Sequence, residues 1–120
     1  MKKKEVKLGR VYISGLSPYL RMLKSQRGVF QLRFGFKFRK YSDCWGIETT
    51  LREKLFKEKG WDYNYFHLSK YDIHILTCWK DISSLEEVDD AIEDLKSVGK
   101  VELYKDYREK ALAMLLEALE

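Results

Sequence analysis

The chain contains two histidines, His67 and His74, and both fall in one aromatic-rich stretch, Trp61 to Trp79, together with Asp72. The runs Tyr63 to Leu68 and Tyr71 to Leu76 are rich in aromatic and β-branched residues and are separated only by Ser69 and Lys70, the spacing of a β-hairpin. A two-residue turn there predicts Leu68 opposite Tyr71, His67 opposite Asp72 and Tyr65 opposite His74, and directly opposed residues share a face. Side chains alternate along a strand, so Asp72 and His74 point the same way. Both imidazoles and one carboxylate are therefore expected on one patch, with Phe66, Ile73 and Ile75 on the other side. Imidazole nitrogens with a carboxylate oxygen suit a divalent ion such as Mn²⁺ or Mg²⁺ and leave positions for substrate oxygens. The competing reading is a plain surface role for each histidine. The convergence also depends on register, because a one-residue slip sends His67 to the face opposite Asp72 and His74.

A second candidate constellation is Tyr107 and Lys110, three residues apart and so on neighbouring positions of one helix face. A phenol is a weak nucleophile near its free pKa of about 10 and needs a cation, metal or base beside it. Lys110 could stabilise a developing phenolate or a phosphate charge. Tyr104, Tyr107, Ala111, Met114 and Ala118 can equally be read as a core-facing stripe. A third is Phe30 to Lys40, the cleanest alternation in the chain, with Phe30, Leu32, Phe34, Phe36 and Phe38 on one face. Gln31, Arg33, Gly35, Lys37 and Arg39 occupy the other. Arg33, Lys37, Arg39 and Lys40 are candidates to bind nucleic-acid phosphates, against the alternative of a solvated sheet surface. Glycine among them favours close approach of a ligand.

The elements that must hold these residues follow from the same patterning. Lys4 to Ile13 reads as a strand whose apolar phase changes at Gly9 and Arg10, a bulge signal. Ser17 and Pro18 resemble a helix start, so Tyr19 to Ser25 is expected to form a short helix ended by Gly28. Trp45 to Lys59 carries Ile47, Leu51, Leu55 and Phe56 at helical spacing, with Gly60 as its stop. Ser83 and Ser84 each precede a glutamate by three residues, a capping signature for a helix that turns Leu85, Val88, Ala91, Ile92, Leu95 and Val98 inward. The acidic residues at its start suit the helix dipole. A last helix is expected from about Leu103 to the C-terminus. The order predicts an α+β fold of ferredoxin-like type, an antiparallel sheet with helices packed largely on one face.

At 120 residues the chain is expected to be one domain, residues 1–120, with a core that needs no disulfide. Its formal charge of +4 favours an anionic partner. Cys44 and Cys78 have no metal-ligand or disulfide spacing. No run of about 18 apolar residues occurs, and the lysines at 2–4 are not followed by a signal-like stretch, so a cytoplasmic protein without membrane contact is expected. Amides are few (Gln26, Gln31 and Asn64), as in proteins of hot-living sources.

Taken together, the ligand-bearing hairpin strand, the helix after it and Tyr-x-x-Lys on the next helix resemble the HUH single-strand DNA endonucleases. In that family a His-hydrophobe-His strand holds a divalent metal and a downstream tyrosine attacks a phosphate. In Tyr71-Asp72-Ile73-His74-Ile75-Leu76, Asp72 stands where the first family histidine does and His74 where the second does. The resemblance spans roughly residues 29–115; Tyr-x-x-Lys is the form seen in rolling-circle replication initiators more than in the related single-tyrosine transposases, and the small size, lone tyrosine and amide-poor composition look most like the compact replication initiators of rod-shaped archaeal viruses. It implies an enzyme that nicks and joins single-stranded DNA through a 5′-phosphotyrosine link, with host-cytoplasmic location. His67, Asp72 and His74 would be ligands to Mn²⁺ or Mg²⁺, Tyr107 the nucleophile with Tyr104 as its fallback, and a homodimer would let two tyrosines alternate. The same residues also admit a single-tyrosine transposase of that family or a non-catalytic, RRM-like nucleic-acid-binding domain.

Overall fold

The structure, a computed structural model, describes residues 5–39, 47 and 49–117. They form six strands: β1 (Glu5–Tyr12), β2 (Tyr19–Lys24), β3 (Phe30–Phe38), β4 (Asp62–Leu68), β5 (Ile73–Ile82) and β6 (Lys100–Leu103). A π-helical segment, Arg52–Lys57, precedes β4, α1 (Leu85–Lys96) follows β5, and α2 (Tyr107–Glu117) follows β6. The strands make one sheet in the order β4-β5-β3-β2-β1-β6, and every neighbouring pair is antiparallel. The α+β arrangement with helices packed on an antiparallel sheet is compatible with a ferredoxin-like fold.

One face of the sheet makes the core. Phe30, Leu32, Phe34, Phe36 and Phe38 are all buried and meet Leu76, Cys78 and Ile82 of β5 and Leu20 and Met22 of β2. Leu51 and Leu55, then Val88, Ala91, Ile92 and Leu95 of α1, then Ala111 and Met114 of α2 join the same cluster, so all three helical elements lie on that face. Ser84 caps α1 by accepting from the Glu87 backbone N–H at 3.2 Å, as its spacing predicts. The opposite face has no described helix over it.

Three elements differ from expectation. Tyr19 to Lys24 is a strand, not a helix: Ile13 bridges Leu16 around Ser14 and Gly15, whose φ values of 49° and 83° make a tight hairpin turn. The Val11 N–H then donates to the Pro18 carbonyl, which commits the following residues to the sheet. Lys100–Leu103 forms an additional edge strand paired with β1, and the last helix starts at Tyr107. Gly9 makes that pairing possible. It stands at the β1 bulge with φ 157°, and a Cβ there would lie 2.0 Å from the Glu102 carbonyl oxygen.

Candidate metal centre

The β4–β5 hairpin is built as the aromatic and β-branched runs require, but its turn has four residues, 69–72, not two. Tyr71 N–H donates to Leu68 O and Asp72 N–H to Ser69 O, and Asp72 takes a left-handed φ of 51°, a conformation Asp tolerates better than most residues. His67 consequently pairs with His74, Tyr65 with Leu76 and Leu68 with Ile73. The expected pairs His67–Asp72 and Tyr65–His74 are corrected by two residues, and a displacement of two leaves each side chain on its original face.

His67 and His74 therefore meet on the core-side face, and Asp72 reaches them from the turn. The Asp72 Oδ1 atom is 3.3 Å from His67 Nε2 and 3.6 Å from His74 Nε2. One donor atom from each residue lies within 4.8 Å of the other two. Ligands on adjacent corners of an octahedron with bonds of about 2.1 Å lie about 3.0 Å apart, so the group is geometrically compatible with one shared ion provided His67 turns out of its parallel stack on His74. The environments differ sharply. His74 is 1% exposed, whereas the side chains of His67 and Asp72 are 39% and 70% exposed.

A stack of rings across three strands holds His74. Its imidazole is parallel to Phe38 of β3 at 5.6 Å between centroids and to His67 of β4 at 4.1 Å. Its Nδ1 atom meets the Tyr65 hydroxyl at 2.5 Å, which leaves Nε2 facing Asp72. A neutral imidazole carries one ring hydrogen. Ligation through Nε2 would place that hydrogen on Nδ1, where it would donate to the Tyr65 oxygen and fix the tautomer. Tyr65 and Phe38 were not among the residues the sequence singled out for chemistry, although strand alternation already put Tyr65 on the face of His67.

Tyr107 and Lys110 stand elsewhere. The Tyr107 hydroxyl donates to Asp89 Oδ1 of α1 at 3.2 Å, and Arg108 pairs with the same carboxylate. Asp89 and the Tyr107 contact hold the Arg108 guanidinium above its ordinary pKa. Lys110 Nζ lies 3.8 Å from Asp106 and 5.3 Å from the Tyr104 ring centre. Because α2 packs against β1, three strand spacings, about 14 Å, separate its footing from β5. The structure thus brings His67, Asp72 and His74 together and does not bring Tyr107 to them within one chain. Ala111 and Met114 are buried and Tyr107 half-buried, so the inner edge of α2 does serve as a core stripe, while Tyr104 is exposed and Ala118 lies outside the described residues.

Arg33 and Lys37 pair with Trp79 and Ile75 of β5, on the sheet face turned away from the helices and from the histidines. Arg39 follows β3 and is exposed, and Lys40 lies outside the described residues. Among those residues no helix is long and apolar enough to cross a membrane. No protein-family model, curated protein or solved structure matches the chain.

Proposed function

We propose that the chain is a metal-dependent enzyme that nicks and rejoins single-stranded DNA, acting as a replication initiator of the HUH kind its sequence resembles. The observation that carries this reading is the convergence of His67, Asp72 and His74 at a solvent-open hairpin turn, with His74 fixed by a ring stack and by Tyr65. Two imidazoles with a single carboxylate suit Mn²⁺ better than Mg²⁺, which prefers an all-oxygen shell. A divalent ion held by His67, Asp72 and His74 would supply a Lewis acid for a phosphate oxygen.

The chain's own groups have separable tasks. His74 is the fixed ligand, and His67, on the edge strand, is the one that turns to complete the site. In the reaction, the Tyr107 oxygen forms a bond to phosphorus as the bond to the 3′-oxygen breaks. The phenol's proton ends on the departing 3′-hydroxyl. One phosphodiester replaces another, so the step runs backward without an added energy source. Since Tyr107 is tied to Asp89 far from the candidate ligands of its own chain, the attacking phenol comes from a second copy of the chain, in a homodimer.

The test is incubation with 5′- and 3′-labelled single-stranded oligonucleotides and Mn²⁺, followed by denaturing electrophoresis. A protein–DNA species that survives boiling in detergent is expected from the wild type and not from Tyr107→Phe or in excess chelator. Persistence of the adduct in Tyr107→Phe would exclude this nucleophile.

A further inference from the structure

The helix-free face of the sheet has a composition the proposed active site leaves unexplained. Strand pairing places Glu5, Lys7, Arg10 and Tyr12 of β1, Tyr19, Arg21 and Leu23 of β2, and Gln31, Arg33, Gly35 and Lys37 of β3 on that face. On these three strands five are cations and one is a carboxylate, and the flanking strands β4, β5 and β6 add Asp62, Asp81 and Glu102 with Lys100 to the same face, so the excess of positive charge lies over β1 to β3. Glu5 is already paired with Arg21 at 2.9 Å, whereas Lys7, Arg10 and Lys37 pair with no carboxylate among the described residues. The cations are interleaved with flat rings. Lys7 Nζ and the Arg10 guanidinium lie 4.1 and 3.8 Å from the centre of the Tyr19 ring, and Arg33 lies 5.4 Å from that of Trp79. A groove of about 530 Å³ runs between them, lined by Lys7, Tyr19, Arg21, Gly35, Lys37 and Thr77. Gly35 contributes no side chain, so its floor is open between Arg33 and Lys37.

We propose that this groove binds single-stranded DNA, with Lys7, Arg21 and Lys37 on successive phosphates and unpaired bases against Tyr19 and the neighbouring apolar surface. Cations along a track with rings beside it form the platform on which single strands lie, because phosphates need charge and every base has a face to stack. A duplex hides its bases, and this flat sheet presents no helix or ribbon to enter a groove of one. The site lies on the reverse of the sheet from His67 and His74. A strand held here reaches the His67 and His74 side by passing round the β4 edge or the 69–72 turn, and Phe66 and Leu68 are exposed there on the same face as the groove. The proposal rests on the nucleic-acid part of the function proposed above, and on neither the metal nor Tyr107.

The experiment is fluorescence anisotropy with a labelled mixed-sequence 20-nucleotide DNA in chelator, over a range of salt. A Lys7→Ala, Arg21→Ala, Lys37→Ala triple variant is expected to bind at least 10-fold more weakly, with a salt slope lower by about 2, the value for three single-strand phosphates. The single Lys37→Glu variant is expected to weaken binding in the same direction. A His67→Ala, Asp72→Asn variant is expected to bind like the wild type, and a duplex of equal length more weakly than the single strand. Unchanged affinity in both groove variants, loss in the metal-site variant, equal duplex affinity or no binding by the wild type would each overturn the proposal. The detergent-stable adduct keeps the two readings apart. Groove variants that bind normally while the wild type forms adduct sink the groove alone, and weakened groove variants with no adduct from any protein sink the nuclease alone.

Discussion

At the level of single residues, the three candidate ligands are unequal, and the inequality is measurable. Asp72 and His67 are exposed, so Asp72→Asn should change stability by less than about 0.5 kcal/mol. His74→Ala removes a buried ring from between Phe38 and His67 and should cost on the order of 3 kcal/mol in urea unfolding. Tyr65→Phe keeps the ring and deletes the hydroxyl that meets Nδ1. It should cost about 1 kcal/mol of stability and roughly 10-fold or more in metal affinity if that hydroxyl orients the ligand. Burial pushes the Cys78 thiol well above its ordinary pKa. A thiol raised in the fold stabilises it fully below the unfolded thiol's pKa, about 8.5, and that contribution is lost as pH rises beyond it. Urea midpoints should therefore fall from pH 8 to pH 10 less steeply in Cys78→Ala than in wild type. The convergence of His67, Asp72 and His74 was legible in the sequence because alternation assigns faces. The turn was not, since Asp72 in a left-handed conformation lengthens the loop by two residues without a glycine to mark it.

At the level of elements, two glycines with positive φ separate steric need from conformational preference. Gly9→Ala drives a Cβ against the Glu102 carbonyl, and nothing lies within 4 Å of the corresponding position at Gly15. Gly9→Ala should cost roughly 3 kcal/mol, as an overpacked site does, and Gly15→Ala about 1 to 2 kcal/mol, the left-handed penalty alone. Thermal melts of the two variants compare them directly, and equal losses would remove the argument that β6 depends on Gly9. The phase change at Gly9 was visible in the sequence as a bulge, and so were β3, from its five alternating phenylalanine and leucine positions, and the Ser84 cap of α1. The β2 strand was misread because Ser17-Pro18 is a common helix opening. The stronger local signal was Ser14-Gly15, a two-residue turn that folds Tyr19 to Lys24 back onto β1. With only four residues, β6 has too little periodicity to be read without its partner.

At the level of the whole molecule, the sheet separates two chemistries. The helix-covered side carries the histidines at one strand edge and Tyr107 against the other, while the open side carries Lys7, Arg10 and Lys37, which pair with no carboxylate among the described residues. If the attacking phenol comes from a second copy, two inactive chains should complement each other. Mixing Tyr107→Phe with a size-tagged Asp72→Asn chain should restore the covalent adduct, and on the tagged chain only. Adduct on neither chain would confine the reaction to ligands and phenol of one molecule. None of this long-range geometry was readable from the sequence, because the strand order that sets β5 three places from β1 depends on pairing between distant segments.

Whether His67, Asp72 and His74 hold a divalent ion is decided by titrating the purified protein with Mn²⁺ and following the electron paramagnetic resonance of the free ion. One Mn²⁺ per chain is expected to bind the wild type, with at least 10-fold weaker binding in Asp72→Asn and His67→Ala, both still folded. No uptake by the wild type, or uptake undiminished in both variants, would contradict a metal site there.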